Sequence, residues 1–92
     1  MEIKQRENEK LGRFFVEIEG KKLALMTYSK AGLGKIIIDH TEVDESLKGQ
    51  GVGYKLVEAA FEYARENTIK IMPLCPFAAA VFKKRAYKDV LF

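Results

Sequence analysis

A chain of 92 residues, 48% hydrophobic and 32% charged, has the make-up of a globular protein with one core, and a single domain spanning 1–92 is expected. Its net charge of +3 suits a small anionic ligand but is too weak to argue for nucleic acid, and its one cysteine excludes an intramolecular disulfide framework or a cysteine-based zinc site. One histidine and scattered carboxylates give no metal-ligand spacing, Met1 to Lys10 has no apolar secretory core, and no apolar run approaches the roughly 20 residues of a membrane span, so a metal-free, cytoplasmic protein is expected.

Ile3 to Glu7 can form a short edge strand. Phe14, Val16 and Ile18 alternate with Arg13, Glu17 and Glu19, the pattern of a strand with one buried face, although Phe15 interrupts the polar side. Glu19-Gly20-Lys21 supplies a turn, and Leu23 to Tyr28 is apolar on both parities, as in a central strand. Ser29 to Gly34 reads as a loop and Lys35 to Val43 as the next strand of a meander. From Gly51 to Asn67 the period becomes helical, with Val52, Leu56, Ala59, Ala60 and Tyr63 on one side and Lys55, Glu58, Glu62 and Glu66 opposite. Ile69 to Leu74 is a short strand, parallel to the Lys35–Val43 strand because a helix crossover joins them. Cys75-Pro76 opens a second helix, since proline suits the first helical position, and Phe77, Ala80, Val81 and the stem of Lys84 form its expected inner side. Tyr87 to Phe92 is too short and mixed to assign. The order is β-β-β-α-β-α, an α/β (α+β) fold with a mixed, mostly antiparallel sheet and two packed helices.

The segment Lys48-Gly49-Gln50-Gly51-Val52-Gly53 joins the meander to the first helix. Glycines at every second position admit close backbone approach by a ligand, and the following helix adds free N–H donors and a partial positive charge. A glycine-rich loop entering a helix is a site for an anion, a pyrophosphate in particular. The spacing matches neither the dinucleotide fingerprint nor the Walker loop.

Two further residues carry chemistry. His40, the only histidine, stands two residues from Glu42; strand periodicity puts Ile36, Ile38, His40 and Glu42 on one face, with Asp39 and Thr41 on the other. A histidine that titrates near neutrality can act as general base toward an amine, although a strand-end histidine can equally serve local hydrogen bonds. Cys75, if it caps the second helix, sits at the positive end of the dipole, where a thiolate is favoured; a lone cysteine can equally be a small buried apolar group. Ligands of open sheets bind beyond the C-terminal ends of parallel strands, where His40, Lys48 to Gly53 and Cys75 are all expected.

The arrangement of a basic residue at 48, Gly51 and Gly53 resembles the [Arg/Gln]-x-x-G-x-[Gly/Ala] signature of the GNAT superfamily of coenzyme A-dependent N-acetyltransferases. With His40-Thr41-Glu42-Val43 before it and Pro73-Leu74-Cys75-Pro76-Phe77 after it, the chain from Arg13 to about Tyr87 is similar to the minimal, single-domain branch of that superfamily. The resemblance implies a sheet splayed where two parallel strands part, with acetyl-CoA in the gap. It implies that Val43 and nearby backbone meet the pantetheine arm and that Lys48, Gly49, Gln50, Gly51, Val52 and Gly53 hold the pyrophosphate. Larger members carry an Asn near the start of the last helix and a Tyr seven residues on as general acid; here those positions are Cys75 and Phe82. Phe82 keeps only the place beside the cofactor, so the acid or nucleophile role is expected of Cys75, with His40 and Glu42 as base. The helices that build the acceptor pocket in larger members have no counterpart here, which leaves the amine unspecified and a homodimer partner as one way to complete the site.

Two other readings use the same residues. A non-catalytic CoA or acyl-CoA binding module would keep the loop without transfer. A polyanion-binding surface would use Lys83, Lys84, Arg85 and Lys88, whose alternative role is to complement a helix C-terminus.

Overall fold

The computed structural model describes residues 1–85 and 88–91; Tyr87 and Phe92, the two ends of the unassigned stretch, lie outside them. The order is β1 (Lys4–Glu7), β2 (Leu11–Ile18), β3 (Lys21–Lys30), β4 (Lys35–Val43), α1 (Val52–Glu66), β5 (Lys70–Pro73) and α2 (Pro76–Arg85). The five strands form one sheet in sequence order, antiparallel throughout except for the β4–β5 pair, which is parallel. The expected mixed sheet and both helices are present, and the edge strand is real.

The β2–β3 hairpin closes through Glu19 and Gly20, both at positive φ (51° and 79°), the turn whose twist matches paired strands. Inward residues of the sheet (Phe14, Val16, Ala24, Met26, Tyr28, Ile36, Ile38 and Ile71) meet Val52, Leu56, Val57, Ala60 and Ala64 of α1 in one core. Ala78, Val81 and Phe82 of α2 join the same core. The expected inner side of α2 is therefore corrected. Ala80 and Lys84 are exposed and Phe77 is 37% exposed, because Pro76 starts the helix with a phase that turns Ala78, Val81 and Phe82 inward. Ile18, expected inside, is 40% exposed, since at the tip of the hairpin it pairs only with Lys21.

Phe15 lies on the opposite, outer face of the sheet, yet it is only 2% exposed. The Arg13 guanidinium and the Lys22 ammonium stand 5.7 and 5.5 Å from its ring centroid, covering it with their stems.

The edge strand is tied down by a polar knot. Glu7 accepts hydrogen bonds from Tyr28 (2.6 Å) and Tyr63 (2.9 Å) and pairs with Lys30 (2.6 Å), and Gln5 donates to the Tyr28 hydroxyl. Phe14, Tyr28 and Tyr63 pack as an aromatic trio beneath it, with centroids 5.4 to 6.1 Å apart. Lys30 and Tyr28 hold the Glu7 carboxyl below its ordinary range. A depressed carboxylate contributes stability that is complete above the usual value and is lost as pH falls through the folded one. Glu7→Gln is therefore expected to cost about 1–2 kcal/mol at pH 7. Urea melts of wild type and variant should converge as the pH is lowered through the carboxylate range; a gap that stays constant with pH would contradict the ionic role.

Candidate active site

Strands β4 and β5 pair only from Lys35↔Lys70 to Ile38↔Pro73, whereas β4 runs on to Val43. The carbonyl of Ile38 accepts from both Leu74 and Cys75 N–H (3.1 Å each), after which the chain turns into α2. Beyond Ile38 the β5-facing edge of β4 thus has no strand partner, and the two parallel strands part.

At the same point β4 carries a bulge. Its pairing with β3 passes from Tyr28↔Ile38 to Thr27↔His40, so Asp39 is an extra residue. One inserted residue reverses the inward–outward phase of the rest of the strand. Thr41 and Val43 continue the side of Ile36 and Ile38, while His40 and Glu42 turn to the outer face. The expectation that His40 and Glu42 share a face with Ile36 and Ile38 is corrected: Thr41, not His40, is on the side of Cys75. His40 Nε2 lies 3.0 Å from Glu42 Oε1, and both side chains are exposed.

On the helix side a groove of about 500 Å³ is lined by Thr41, Val43, Leu47, Lys48, Gly49, Gly51, Val52, Gly53, Tyr54 and Phe77. It contains six of the residues expected at the cofactor: Val43, Lys48, Gly49, Gly51, Val52 and Gly53. Gln50 is not among its lining residues; its side chain donates back to the Ser46 carbonyl (3.3 Å). Phe82 is 2% exposed and belongs to the core, so its expected place beside the cofactor is corrected. Thr41, Leu47, Tyr54 and Phe77 line the groove without having been expected there. Thr41 was hidden by the bulge, and Phe77 read as an inner position of the second helix.

The glycines divide the work. Gly51 is the N-cap of α1 at φ +71° with open space around it, and no side chain caps the helix. The N–H groups of Gly51 to Tyr54, four residues that line the groove, have no helical partners, the first helical bond being Lys55 N–H to the Gly51 carbonyl. Gly53 serves packing: a Cβ there would stand 2.6 Å from the Phe77 ring. Tyr54 meets the same ring edge-on at 5.7 Å. Lys48 pairs with Glu45 at the rim (3.0 Å).

Cys75 immediately precedes α2, its carbonyl accepting from Ala79 N–H, and is 6% exposed. Its sulfur lies 3.4 Å from Thr41 Oγ1. Burial pushes the thiol up, but the Thr41 hydroxyl and the N–H groups of Ala78 and Phe77 outweigh it, holding the group below its ordinary value. Lys83, Lys84 and Arg85 fill the last turn of α2; Lys84 and Arg85 stand over the Tyr54 ring, and Arg85 approaches Glu58.

Parted parallel strands, a bulged β4 and an uncapped helix entered through glycines define an acyltransferase fold, and comparison with known proteins agrees. The chain belongs to the GCN5-related N-acetyltransferase family, whose model matches residues 13–90. It is 44% identical to a GCN5-like protein from Staphylococcus aureus, with a TM-score of 0.75 over 99% of this chain and 87% of that one. The ribosomal-protein-S18-alanine N-acetyltransferase of Escherichia coli (18% identity, TM-score 0.69) shares the fold over 86% of this chain and 54% of its own. The ribosomal-protein-alanine N-acetyltransferase from Brucella melitensis biovar Abortus 2308 (15%, 0.68) does so over 84% and 62%. The chain thus spans little more than half the length of those two enzymes. The family transfers acetyl groups from acetyl-CoA to amines. Among the described residues no group of three or more His, Cys, Asp or Glu could hold a metal, and no helix is long and apolar enough to cross a membrane.

The thiolate absorbance of Cys75 should follow a pH profile with its midpoint below that of a free thiol. Thr41→Val should move that midpoint upward, and an unshifted profile would show that the hydroxyl does not hold the sulfur.

Proposed function

We infer that the protein is an acetyl-CoA-dependent N-acetyltransferase acting on an amine that approaches from the outer face of the sheet. The observation that carries this reading is the parting of β4 from β5 beside the uncapped N-terminus of α1. A single cofactor can there bond the free edge of β4 with its pantetheine amides and the first-turn N–H groups with its phosphates. The groove fits such a group: its floor is apolar at Val43, Leu47, Val52 and Phe77, and its donors are concentrated at Gly51 to Tyr54.

The bulge gives the two sides of β4 separate tasks. On the outer face, His40 with Glu42 beside it takes the proton from the incoming ammonium, so that the free amine can form the C–N bond with the thioester carbonyl. On the helix side, Cys75 donates a proton to the sulfur that leaves as the C–S bond breaks, and Thr41 and the α2 N–H groups stabilise the thiolate left behind. This direct route is favoured over attack by Cys75 itself, because a residue only 6% exposed, its sulfur bonded to Thr41, has little room to carry an acetyl group. Val43 and the segment Lys48 to Gly53 hold the cofactor, Lys48 by charge at the rim and Gln50 through its backbone.

Calorimetric titration should give one saturable acetyl-CoA site in the wild type. In Gly51→Asp the added carboxylate competes for the free donors, so affinity should fall by about tenfold or more, roughly 1.4 kcal/mol. Retained affinity in a folded variant would remove the loop from the site. With a reactive amine, His40→Ala should lower kcat/KM by about a hundredfold near neutral pH. Tight cofactor binding with no transfer to any amine would instead support the non-catalytic module.

A further inference from the structure

The outer face carries an ordered row that the reaction above does not use. Arg6 pairs with Arg13, Arg13 with Thr27, and Thr27 with His40, so these four residues stand side by side across β1 to β4. The neighbouring row runs Lys4, Phe15, Leu25, Glu42. Each row ends at the His40–Glu42 pair beside the parted strands and begins with cations at the opposite edge.

The cationic end is unbalanced. Like charges placed directly opposite across an antiparallel pair repel, yet Arg6 and Arg13 are such a pair. Among the described residues neither forms an ion pair, and Arg13 Nε is buried without a hydrogen-bond partner. The cost of a buried donor left unpaired is borne where something can pair with it. Both arginines line a depression of about 530 Å³ with Glu7, Asn8, Thr27 and Asp39. The nearby acids are already engaged: Glu7 pairs with Lys30 (2.6 Å) and accepts from Tyr28 and Tyr63, Asp39 accepts from Ser29 (2.6 Å), and Glu17 pairs with Lys4 (3.6 Å). The Arg13 guanidinium carbon stands over the Phe15 ring, 5.7 Å from its centroid.

We propose that Arg6 and Arg13 form an anion subsite for the acceptor, so that the amine acetylated at His40 carries a carboxylate or comparable anion at its far end. Arg13 and His40 are two strands apart, and at 4.7–4.9 Å per strand this sets a separation of about 10 Å between amine and anion. Between them Thr27 offers a hydroxyl, and Leu25 flanks an aliphatic chain. The planar arginine fork matches a carboxylate in two-point contact. An ω-amino acid and a short peptide with a free N-terminus and an acidic third residue both satisfy this chemistry. The proposal rests on the transferase reading for calling the ligand an acceptor, whereas the subsite itself can be tested without turnover.

The test is a titration of the isotope-labelled protein, followed by amide NMR signals, with 8-aminooctanoate and with 8-amino-1-octanol, which differ only at the far end. The carboxylate should bind at least about tenfold more tightly, the usual worth of a charge-assisted contact, and should shift the signals of Arg6, Arg13 and Thr27. Arg6→Gln and Arg13→Gln should each reduce that advantage while leaving the calorimetric acetyl-CoA affinity unchanged. Arg6, being exposed, gives a variant that keeps its fold. An acidic tripeptide with an amidated C-terminus forms a second arm: preference for it over its glutamine counterpart marks a peptide acceptor, and preference confined to the amino acid marks a small molecule. Equal affinity for the two octyl probes, with no preference for the acidic peptide, would overturn the subsite. So would carboxylate-dependent shifts confined to Lys48–Gly53. Selective binding that is lost in the arginine variants, in a protein that transfers no acetyl group, would uphold the subsite and overturn the transferase.

Discussion

The Ile38 carbonyl is the point on which the site turns. By accepting both Leu74 and Cys75 N–H it closes the last bond of the parallel pair, and no further residue of β5 follows β4. The chain after β5 is committed to α2, because Pro76 has no N–H to donate to a ladder and its fixed φ suits a first helical turn. A free strand edge inside a folded domain is otherwise a liability. Here it lies beside an uncapped helix N-terminus, so two sets of unpaired backbone groups flank one groove.

The bulge at Asp39 performs the second division. Without it, Thr41 would point outward and His40 inward, against Ile36 and Ile38. With it, the hydroxyl that supports Cys75 is on the helix side and the imidazole–carboxylate pair is on the open side. In the proposed reaction, proton removal from an amine and proton donation to a leaving sulfur fall on opposite sides of one strand. The two reacting partners need not enter by the same path.

Packing in the rest of the molecule serves this geometry. Gly53 allows the Phe77 ring to lie against the first turn of α1, which sets the two helices at the width of the groove. Val52, Leu56 and Val57 anchor α1 to the sheet, and the Glu7 knot fastens the edge strand that carries Arg6. The outer face remains polar and open, with Phe15 shielded by Arg13 and Lys22 stems rather than by a helix.

Much of this was legible in the residues. Alternation in Phe14 to Ile18, the period change at Gly51 and proline after Cys75 are local signals, and local physics decides strands, helix starts and turns. The parallel β5 and the expected acetyltransferase resemblance followed from their order. The positions of His40 and Glu42 did not, because a bulge is a property of two paired strands and leaves no mark in the period of one. Phe82 was misplaced for a related reason: which side of a short apolar helix faces inward depends on what α1 and β5 present to it. Gly53, read as a phosphate-loop glycine, also makes room for Phe77, 24 positions away in the chain. Sequence by itself determined the elements, their order and the chemical groups available. Tertiary structure alone decided which groups share a side of β4, since register and close approach are set by pairing between distant segments.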